Sequence, residues 1–242
     1  MRILAMDTVG QQGSVALLDS ETPIASSLLL NPTGHVVSLP QAITSLLQKA
    51  QMVMGDINLL AVTVGPGSFT GLRIALGLAK GLALGQGVSV VGISTLDVVA
   101  AGSGGKKGGD YVASILDARR KEVFFALYQL TNGGFLKSVN EPFIANPVTI
   151  AQDLGSNPEL NNQPIYMNGT GLGPYNDLFI AALGNKYIPA SKEAWQPDPF
   201  LLGKLGLQKF TEHGGDNPAN LQPLYLRRPD AVAKKEYFCS EN

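Results

Sequence analysis

The chain has 242 residues, 45% of them hydrophobic and 15% charged. This composition predicts a buried core and two small domains rather than one large one. With 18 basic and 19 acidic side chains, the formal net charge is −1, which argues against nucleic-acid or membrane binding through a broad basic surface. One cysteine, Cys239, excludes an internal disulfide framework and a thiolate zinc site. It fits a reducing compartment, and the strand-like start is too short for a signal peptide, so we expect a cytoplasmic protein.

The first half of the chain is predicted to begin with an antiparallel meander of three strands. A helix with apolar residues at helical spacing follows. A strand, a second helix and another strand then form a βαβ unit, whose two strands should pair in parallel, and a further short helix begins at Ser94. The predicted bounds are 2–8, 13–20 and 23–30 for the meander, 35–52 for the first helix, 59–64 and 88–93 for the parallel strands, and 68–85 for the second helix.

The second half repeats the opening pattern. Residues 102–109 are all glycine, serine or lysine, which marks the domain boundary. Three strands are predicted after it, and the sequence Thr-Asn-Gly-Gly joins the last two as a hairpin. A duplicated fold is therefore expected, with domains at 1–103 and 104–231, a loose tail at 232–242, and a last helix that packs back on the first domain. The predicted bounds are 111–118, 122–130, 135–145 and 164–167 for strands, 147–154, 175–183 and 199–212 for helices, and 223–227 for an extended piece.

The helix predicted at 68–85 carries two stripes of small residues. Gly77, Gly81 and Gly85 recur every four residues, and three alanines form a second stripe. Each glycine within a helix costs about 1 kcal/mol relative to alanine, so we expect them where another backbone comes very close. Only Arg73 and Lys80 are charged in this helix, and with the glycines they argue against a membrane span. The helix is predicted to be a contact surface as well as core.

The glycine loop at 65–67 precedes this helix and has two interpretations. A loop at a helix N-terminus offers backbone N–H groups to a phosphate. However, Leu72 follows Gly71 where a phosphate loop needs lysine, and no acidic residue lies between Gly71 and Ser94 for a dinucleotide site. A simple turn, with Ser68 as the helix cap, is the favoured interpretation.

Asp7 and Arg119 are the two candidate ligand-binding residues, and each has a structural alternative. Asp7, at the end of the first strand, either organises a phosphate or a metal-bound water or forms a turn with its own backbone. Arg119 lies in a charged hairpin, where it is either solvated or binds a phosphate or carboxylate. His35 and His213 each lack a second histidine at metal-binding spacing. We therefore predict neither a metal site nor a catalytic residue.

Several segments together resemble one family. MRILAMDT, SVALL, GPGSFTGLRIALGLAKGLALG, GISTLD, LDARRKEVF, NGTGL and PLYLRRPDA are similar to the bacterial TsaB (YeaZ) family, from residue 1 to about 231. GPGSFTGLR is the most specific of these. The resemblance implies an α/β fold of two RNase H-like domains of the actin/Hsp70/sugar-kinase superfamily.

The resemblance also implies a function. TsaB proteins are non-catalytic, activating subunits of the complex that transfers a threonylcarbamoyl group to N6 of adenosine 37, in tRNAs that read codons beginning with A. The implied partners are a TsaD-like catalytic subunit, a TsaE-like ATPase and, through the complex, tRNA, with ATP and metal bound by the partner subunits and no cofactor held tightly by this chain. Binding to TsaD, or self-pairing as a homodimer, would use the first two helices. The implied interface residues are His35, Leu39, Ile43, Leu46, Arg73, Gly77, Lys80, Gly81, Leu84 and Gly85.

Two departures from the family pattern and three rival functions stay open. Val9 stands where the family commonly has serine, which weakens a phosphate role for the first loop. Residues 31–37 replace the family's polar start of the first helix. The rivals are a small-molecule kinase or a peptidase of the same superfamily, and a regulatory homodimer.

Overall fold

The fold is taken from a computed structural model that describes residues 1–10, 12–29, 34–105, 107–160 and 163–227. The predicted tail at 232–242 lies outside the described residues. So do residues 31–33, the first three of the segment 31–37 that departs from the family pattern before the first helix.

The first domain is a five-stranded sheet in the order β3-β2-β1-β4-β5. The first three strands are antiparallel, as predicted, and β4 and β5 continue the sheet in parallel with β1. The elements are β1 (Arg2–Asp7), β2 (Ser14–Asp19), β3 (Thr22–Leu28), α1 (His35–Lys49), β4 (Leu59–Gly65), α2 (Phe69–Gln86), β5 (Ser89–Ser94) and α3 (Thr95–Ala101).

The second domain repeats this topology. An antiparallel pair, β6 and β7, is extended on one side by short antiparallel strands and on the other by two parallel strands, in the order β11-β10-β6-β7-β8 with β9 also on β7. The duplicated α/β fold predicted from the sequence is confirmed. The elements are β6 (Tyr111–Asp117), β7 (Val123–Leu130), β8 (Leu136–Ser138), β9 (Phe143–Ala145), α4 (Pro147–Ser156), β10 (Ile165–Asn168), α5 (Leu172–Leu183), β11 (Tyr187–Pro189) and α6 (Pro199–His213).

The third strand of the second meander differs from its prediction. The sequence predicts one strand at 135–145, but the structure has β8 and β9 with a break between them. Asn140 causes the break, because its Oδ1 accepts a hydrogen bond from the backbone N–H of Leu127 at 2.9 Å and takes the place of a strand partner. Pro142 follows and has no N–H to donate. The three-residue strand β11 was not predicted, and α5 begins three residues before its predicted start.

Helices cover both faces of the first sheet. Leu39 of α1 and Ala75 and Ala79 of α2 are fully buried in the cluster on one face. On the other face, α6 lies close to the strands: an ideal Cβ on Gly206 would be 2.6 Å from the Cβ of Ala61. The last helix therefore packs on the sheet of the first domain although it follows the second in sequence. Within the part of the chain described, no helix is both long enough and apolar enough to cross a bilayer.

Candidate functional site

The N-terminal turn of α2 is fastened to the loop between β1 and β2. Thr8 Oγ1 donates a hydrogen bond to the carbonyl oxygen of Gly71 at 2.7 Å. Ser68 caps the helix as predicted, with its Oγ accepting from the N–H of Gly71 at 3.2 Å. An ideal Cβ on Gly71 would lie 1.9 Å from the carbonyl oxygen of Thr8. Glycine at this position is thus required by the close approach of two backbones.

Val9 fills the space beside the glycine loop. An ideal Cβ on Gly67 would lie 1.9 Å from Cγ1 of Val9, whose side chain is buried. The carbonyl oxygen of Val9 accepts a hydrogen bond from the N–H of Ser68 at 3.4 Å. Val9 therefore occupies the space beside Gly67 and binds the N–H of Ser68, which supports the interpretation of residues 65–67 as a turn rather than a phosphate loop.

Asp7 is fully buried behind this loop. Its Oδ1 accepts hydrogen bonds from Thr63 Oγ1 at 2.7 Å and from the backbone N–H of Val9 at 3.2 Å. The second of these is the predicted turn contact. Oδ2 is buried without a hydrogen-bond partner in the described structure. Burial raises the pKa of Asp7 above its usual value, and the bonds from Thr63 and Val9 only partly oppose this.

We expect Asp7→Asn to change how stability depends on pH. The pKa of Asp7 is higher in the folded protein than in the unfolded chain, so folding takes up a proton in the interval between the two values. Stability then falls as the pH rises through that interval. Asparagine does not titrate, so the variant should gain stability relative to the wild type as the pH rises above the ordinary aspartate pKa of about 4. Urea unfolding at a series of pH values measures the difference.

Asp117→Asn is the matched control, because Asp117 occupies the same place in the second domain but is exposed. The difference in the free energy of unfolding between Asp7→Asn and the wild type should change with pH. If it stays constant, the buried carboxylate of Asp7 does not destabilise the folded protein as expected.

The second domain carries the equivalent turn, and Arg119 lies in it. Asp117 Oδ1 accepts from the N–H of Arg119 at 2.8 Å, as Asp7 does from the residue two positions further on. Arg119, Arg120 and Lys121 have φ values of 60°, 56° and 61°, a left-handed conformation that costs about 1 kcal/mol or more for each non-glycine residue. The tight hairpin holds the side chain of Arg119 in an exposed position. Asp7 is buried, so the two candidate ligand-binding residues are not presented together on one surface.

The last described residues connect the two domains. The N–H of Leu224 donates to the carbonyl oxygen of Val64 in β4 at 2.7 Å. Three residues later, Arg227 Nη1 donates to the carbonyl oxygen of Ala118 at 2.8 Å, and the same guanidinium pairs with Glu122. This segment therefore ties the carboxyl end of β4 to the hairpin that carries Arg119.

One side of α2 faces solvent and forms a smooth, mostly uncharged surface. We call it the α2 face and define it by Phe69, Arg73, Gly77, Gly81, Leu84 and Gly85, all of which are exposed. Apart from the nearby backbone of α2 itself, no atom of the described residues lies within 4 Å of an ideal Cβ on Gly77, Gly81 or Gly85. Leu84 is 74% exposed. The alanine stripe packs on the sheet, and no other described element covers the glycine stripe.

Aromatic and basic side chains extend the α2 face at its N-terminal end. The rings of Phe69 and Tyr225 stack with centroids 5.1 Å apart. The guanidinium of Arg73 lies 3.9 Å from the centroid of Phe69, and its Nε donates to the hydroxyl of Tyr225 at 3.2 Å. Sequence reasoning missed Phe69 and Tyr225. Tyr225 lies in the motif PLYLRRPDA, but nothing in the sequence placed it beside α2.

The interface residues predicted on α1 are corrected by the structure. Leu39, Ile43 and Leu46 are 0%, 6% and 2% exposed, because the apolar spacing that predicted the helix also turns these side chains into the core. His35 is also buried, and burial lowers its pKa. On α1, exposed apolar surface is instead provided by Val36 and Val37, at 67% and 62%. On α2, Lys80 is half-buried.

The histidines and acidic residues do not gather into a metal site in the described ranges. His35 and His213 lie in different helices, α1 and α6. No group of three histidine, cysteine, aspartate or glutamate side chains there could hold a metal ion.

The two sheets, each with three antiparallel strands extended by parallel ones and each with an aspartate at the end of its first strand, define two RNase H-like domains. A solved inorganic polyphosphate/ATP-glucomannokinase from Arthrobacter has the same fold, with a TM-score of 0.51 at 12% identity over 88% of this chain and 99% of that one. The chain is therefore a member of the class of actin-like and sugar-kinase-like folds.

Closer similarities identify the family. Residues 31–186 match the family model described as "TsaD: tRNA N6-adenosine threonylcarbamoyltransferase". The tRNA threonylcarbamoyladenosine biosynthesis protein TsaB of Escherichia coli is 31% identical over 97% of this chain and 98% of its own length. The solved structure of YeaZ from Pseudomonas aeruginosa has a TM-score of 0.76 at 27% identity, over 93% of this chain and 99% of that one. The chain belongs to the TsaB (YeaZ) family, as the sequence motifs indicated.

Proposed function

We propose that this chain is a non-catalytic, activating subunit of a tRNA threonylcarbamoyladenosine synthesis complex, and that it binds a TsaD-like catalytic subunit through the α2 face. Membership of the TsaB family indicates the pathway, tRNA threonylcarbamoyladenosine biosynthesis. The observation that carries the proposal is the stripe of Gly77, Gly81 and Gly85, which faces solvent and is covered by no other element that the structure describes.

The glycine stripe is difficult to explain by the stability of this chain alone. Each glycine weakens the helix by about 1 kcal/mol relative to alanine, and none of the three makes room for a neighbouring element of the same chain. A flat strip without Cβ atoms allows a partner helix to approach very closely, as small residues do wherever helices cross in contact. Leu84 and the ring of Phe69, both exposed, would supply apolar area beside the strip.

The loops at the strand ends support a non-catalytic role. In the first domain, the carboxylate of Asp7 is enclosed by Thr63 and the backbone of Val9, and the side chain of Val9 packs on the glycine loop. A phosphate or a metal-bound water at this carboxylate would need the space these groups fill. In this proposal, ATP, metal and catalysis belong to the TsaD-like and TsaE-like subunits, and tRNA is bound by the complex.

Arg119 has a secondary place in the proposal. Its exposed side chain stands on a hairpin held by Asp117, Glu122 and Arg227. A guanidinium on a fixed turn suits a phosphate or a carboxylate presented by a partner.

The proposal is tested by reconstitution with the TsaD-family and TsaE-family proteins of the same organism. We expect the tagged chain to co-purify with the TsaD-family protein. Threonylcarbamoyladenosine should form in tRNA only when this chain is present, and the isolated chain should neither hydrolyse ATP nor modify tRNA. Equal modification without the chain would contradict the proposal. Tight ATP binding by the isolated chain would favour the rival kinase.

A homodimer would use the same surface, and the same purified proteins distinguish it from the heterodimer. Sedimentation of the chain alone, and then with the TsaD-family protein, shows whether self-pairing is displaced by the partner. A homodimer that persists in the mixture, with no heterodimer formed, would favour the regulatory alternative.

A further inference from the structure

Arg73 is ordered by its neighbours at the N-terminal end of the α2 face. It lies one helical turn after Phe69, and its Cζ is 3.9 Å from the centroid of that ring. Its Nε donates to the hydroxyl of Tyr225 at 3.2 Å, and the ring of Tyr225 stacks on Phe69. The neighbouring Leu224 is fixed in turn, because its N–H donates to the carbonyl oxygen of Val64 at 2.7 Å. The guanidinium of an exposed residue is therefore oriented before any partner binds.

The described part of the chain gives Arg73 an aromatic platform but no counter-ion. A guanidinium carries N–H donors on every nitrogen, and among the described residues Arg73 donates only from Nε, to Tyr225. No carboxylate in the described ranges forms an ion pair with it. Because Nε is occupied, a carboxylate would pair with Nη1 and Nη2, in the bidentate arrangement that suits arginine. The ordered side chain lowers the entropic cost of forming that pair.

The first two helices carry positive charge and no negative charge. Lys49 lies in α1, and Arg73 and Lys80 lie in α2, whereas neither helix contains an aspartate or a glutamate. If two copies of the chain paired symmetrically through these helices, neither α1 nor α2 of the second copy could supply a carboxylate to Arg73. A different protein with an acidic residue on its docking helix would be complementary in charge. The charge pattern therefore favours such a partner over self-pairing.

We infer that Arg73 binds a carboxylate of the partner protein, from an aspartate or glutamate on the helix that docks on the glycine stripe. The carboxylate accepts one hydrogen bond from Nη1 and one from Nη2, while Phe69 and Tyr225 keep the guanidinium in place. The inference rests on the proposed function, since it takes the α2 face as the docking surface. It adds the chemical group for which that surface selects.

The test measures the affinity of Arg73→Gln and Arg73→Lys for the purified TsaD-family protein, with all proteins freed of RNA by nuclease treatment. We expect Arg73→Gln to bind about 20-fold more weakly than the wild type, because the partner's carboxylate is left without its ion pair. Arg73→Lys keeps the charge but loses the bidentate geometry and the stack on Phe69, so it should bind about 5-fold more weakly. Wild-type affinity for Arg73→Lys would overturn the bidentate assignment.

Two controls separate this contact from charge and from the docking surface itself. Lys204→Gln removes one positive charge from an exposed position of α6, on the other face of the sheet, and should leave the affinity within about 2-fold of the wild type. Gly81→Leu reports on the α2 face without touching Arg73. If Gly81→Leu weakens binding and Arg73→Gln does not, the carboxylate assignment is wrong and the docking surface stands. Wild-type affinity for both variants would contradict the proposed function as well.

The acidic residue is found by combining Arg73→Gln with Asp→Asn and Glu→Gln variants of the partner. We expect one partner variant that weakens binding to the wild-type chain and in which Arg73→Gln has no further effect. Additive losses with every partner variant would overturn the inference. A loss that appears only when tRNA is added would assign Arg73 to a phosphate, and an equal loss in self-association would assign it to a second copy of this chain. Either result would also overturn the inference.

Discussion

Gly71→Ala should destabilise the first domain by about 3 kcal/mol. The methyl group would lie 1.9 Å from the carbonyl oxygen of Thr8 and 2.9 Å from its carbonyl carbon. Both are backbone atoms of a loop that follows a central strand, so neither can move aside by a rotamer change. To relieve the clash, the start of α2 must shift away from the loop, which breaks the 2.7 Å hydrogen bond from Thr8 Oγ1 to the carbonyl oxygen of Gly71. Urea unfolding followed by circular dichroism measures the loss.

Gly77→Ala, two turns further along α2, is the matched control. The same substitution there meets no atom within 4 Å, so it should stabilise the protein by about 1 kcal/mol through helix propensity alone. If both variants unfold at the same urea concentration, the close contact between the β1–β2 loop and α2 does not stabilise the first domain.

The sequence predicted most of the fold because turns and periodicity are local signals. Three apolar runs separated by glycine and polar turns gave β1 to β3, and the same pattern after residue 109 revealed the duplication. The break between β8 and β9 was hidden because it depends on Asn140 bonding to Leu127, thirteen residues away. The strand β11 is three residues long and exists by pairing with β10, which a local pattern does not reveal.

The candidate site was harder to predict, because periodicity defines the faces of a helix without saying what covers each of them. In α1, the apolar spacing that marked Leu39, Ile43 and Leu46 is the spacing of the buried face. In α2, two stripes of small residues were equivalent until the structure placed the alanines on the sheet and left the glycines exposed. The contribution of Tyr225 comes from the chain returning to α2 after the second domain is complete, a contact between residues 152 positions apart.

Gly81→Leu should weaken binding of the TsaD-like partner by about 10- to 100-fold, which corresponds to about 1.4–2.7 kcal/mol. Gly81 lies in the middle of the α2 face with open space above it. A leucine there would hold the partner helix away from the backbone of α2 and separate the surfaces that Gly77 and Gly85 leave flat. Titration of the labelled chain with the purified partner measures the affinity.

Loss of folding does not explain such a result, because leucine is a better helix former than glycine by about 1 kcal/mol and Gly81 is exposed, with no atom of a neighbouring described element within 4 Å of its ideal Cβ. The variant should therefore be at least as stable as the wild type in urea while it binds less tightly. Gly55→Leu is the matched control: Gly55 is exposed in the same domain, has no atom within 4 Å of its ideal Cβ, and lies in the turn before β4, outside α2. The proposal that the α2 face is the docking surface would be contradicted by either of two results. One is wild-type affinity of Gly81→Leu for the partner, and the other is an equal loss of affinity in Gly55→Leu. A loss confined to Gly81→Leu would show that the three glycines, unfavourable within this chain, serve the approach of a second one.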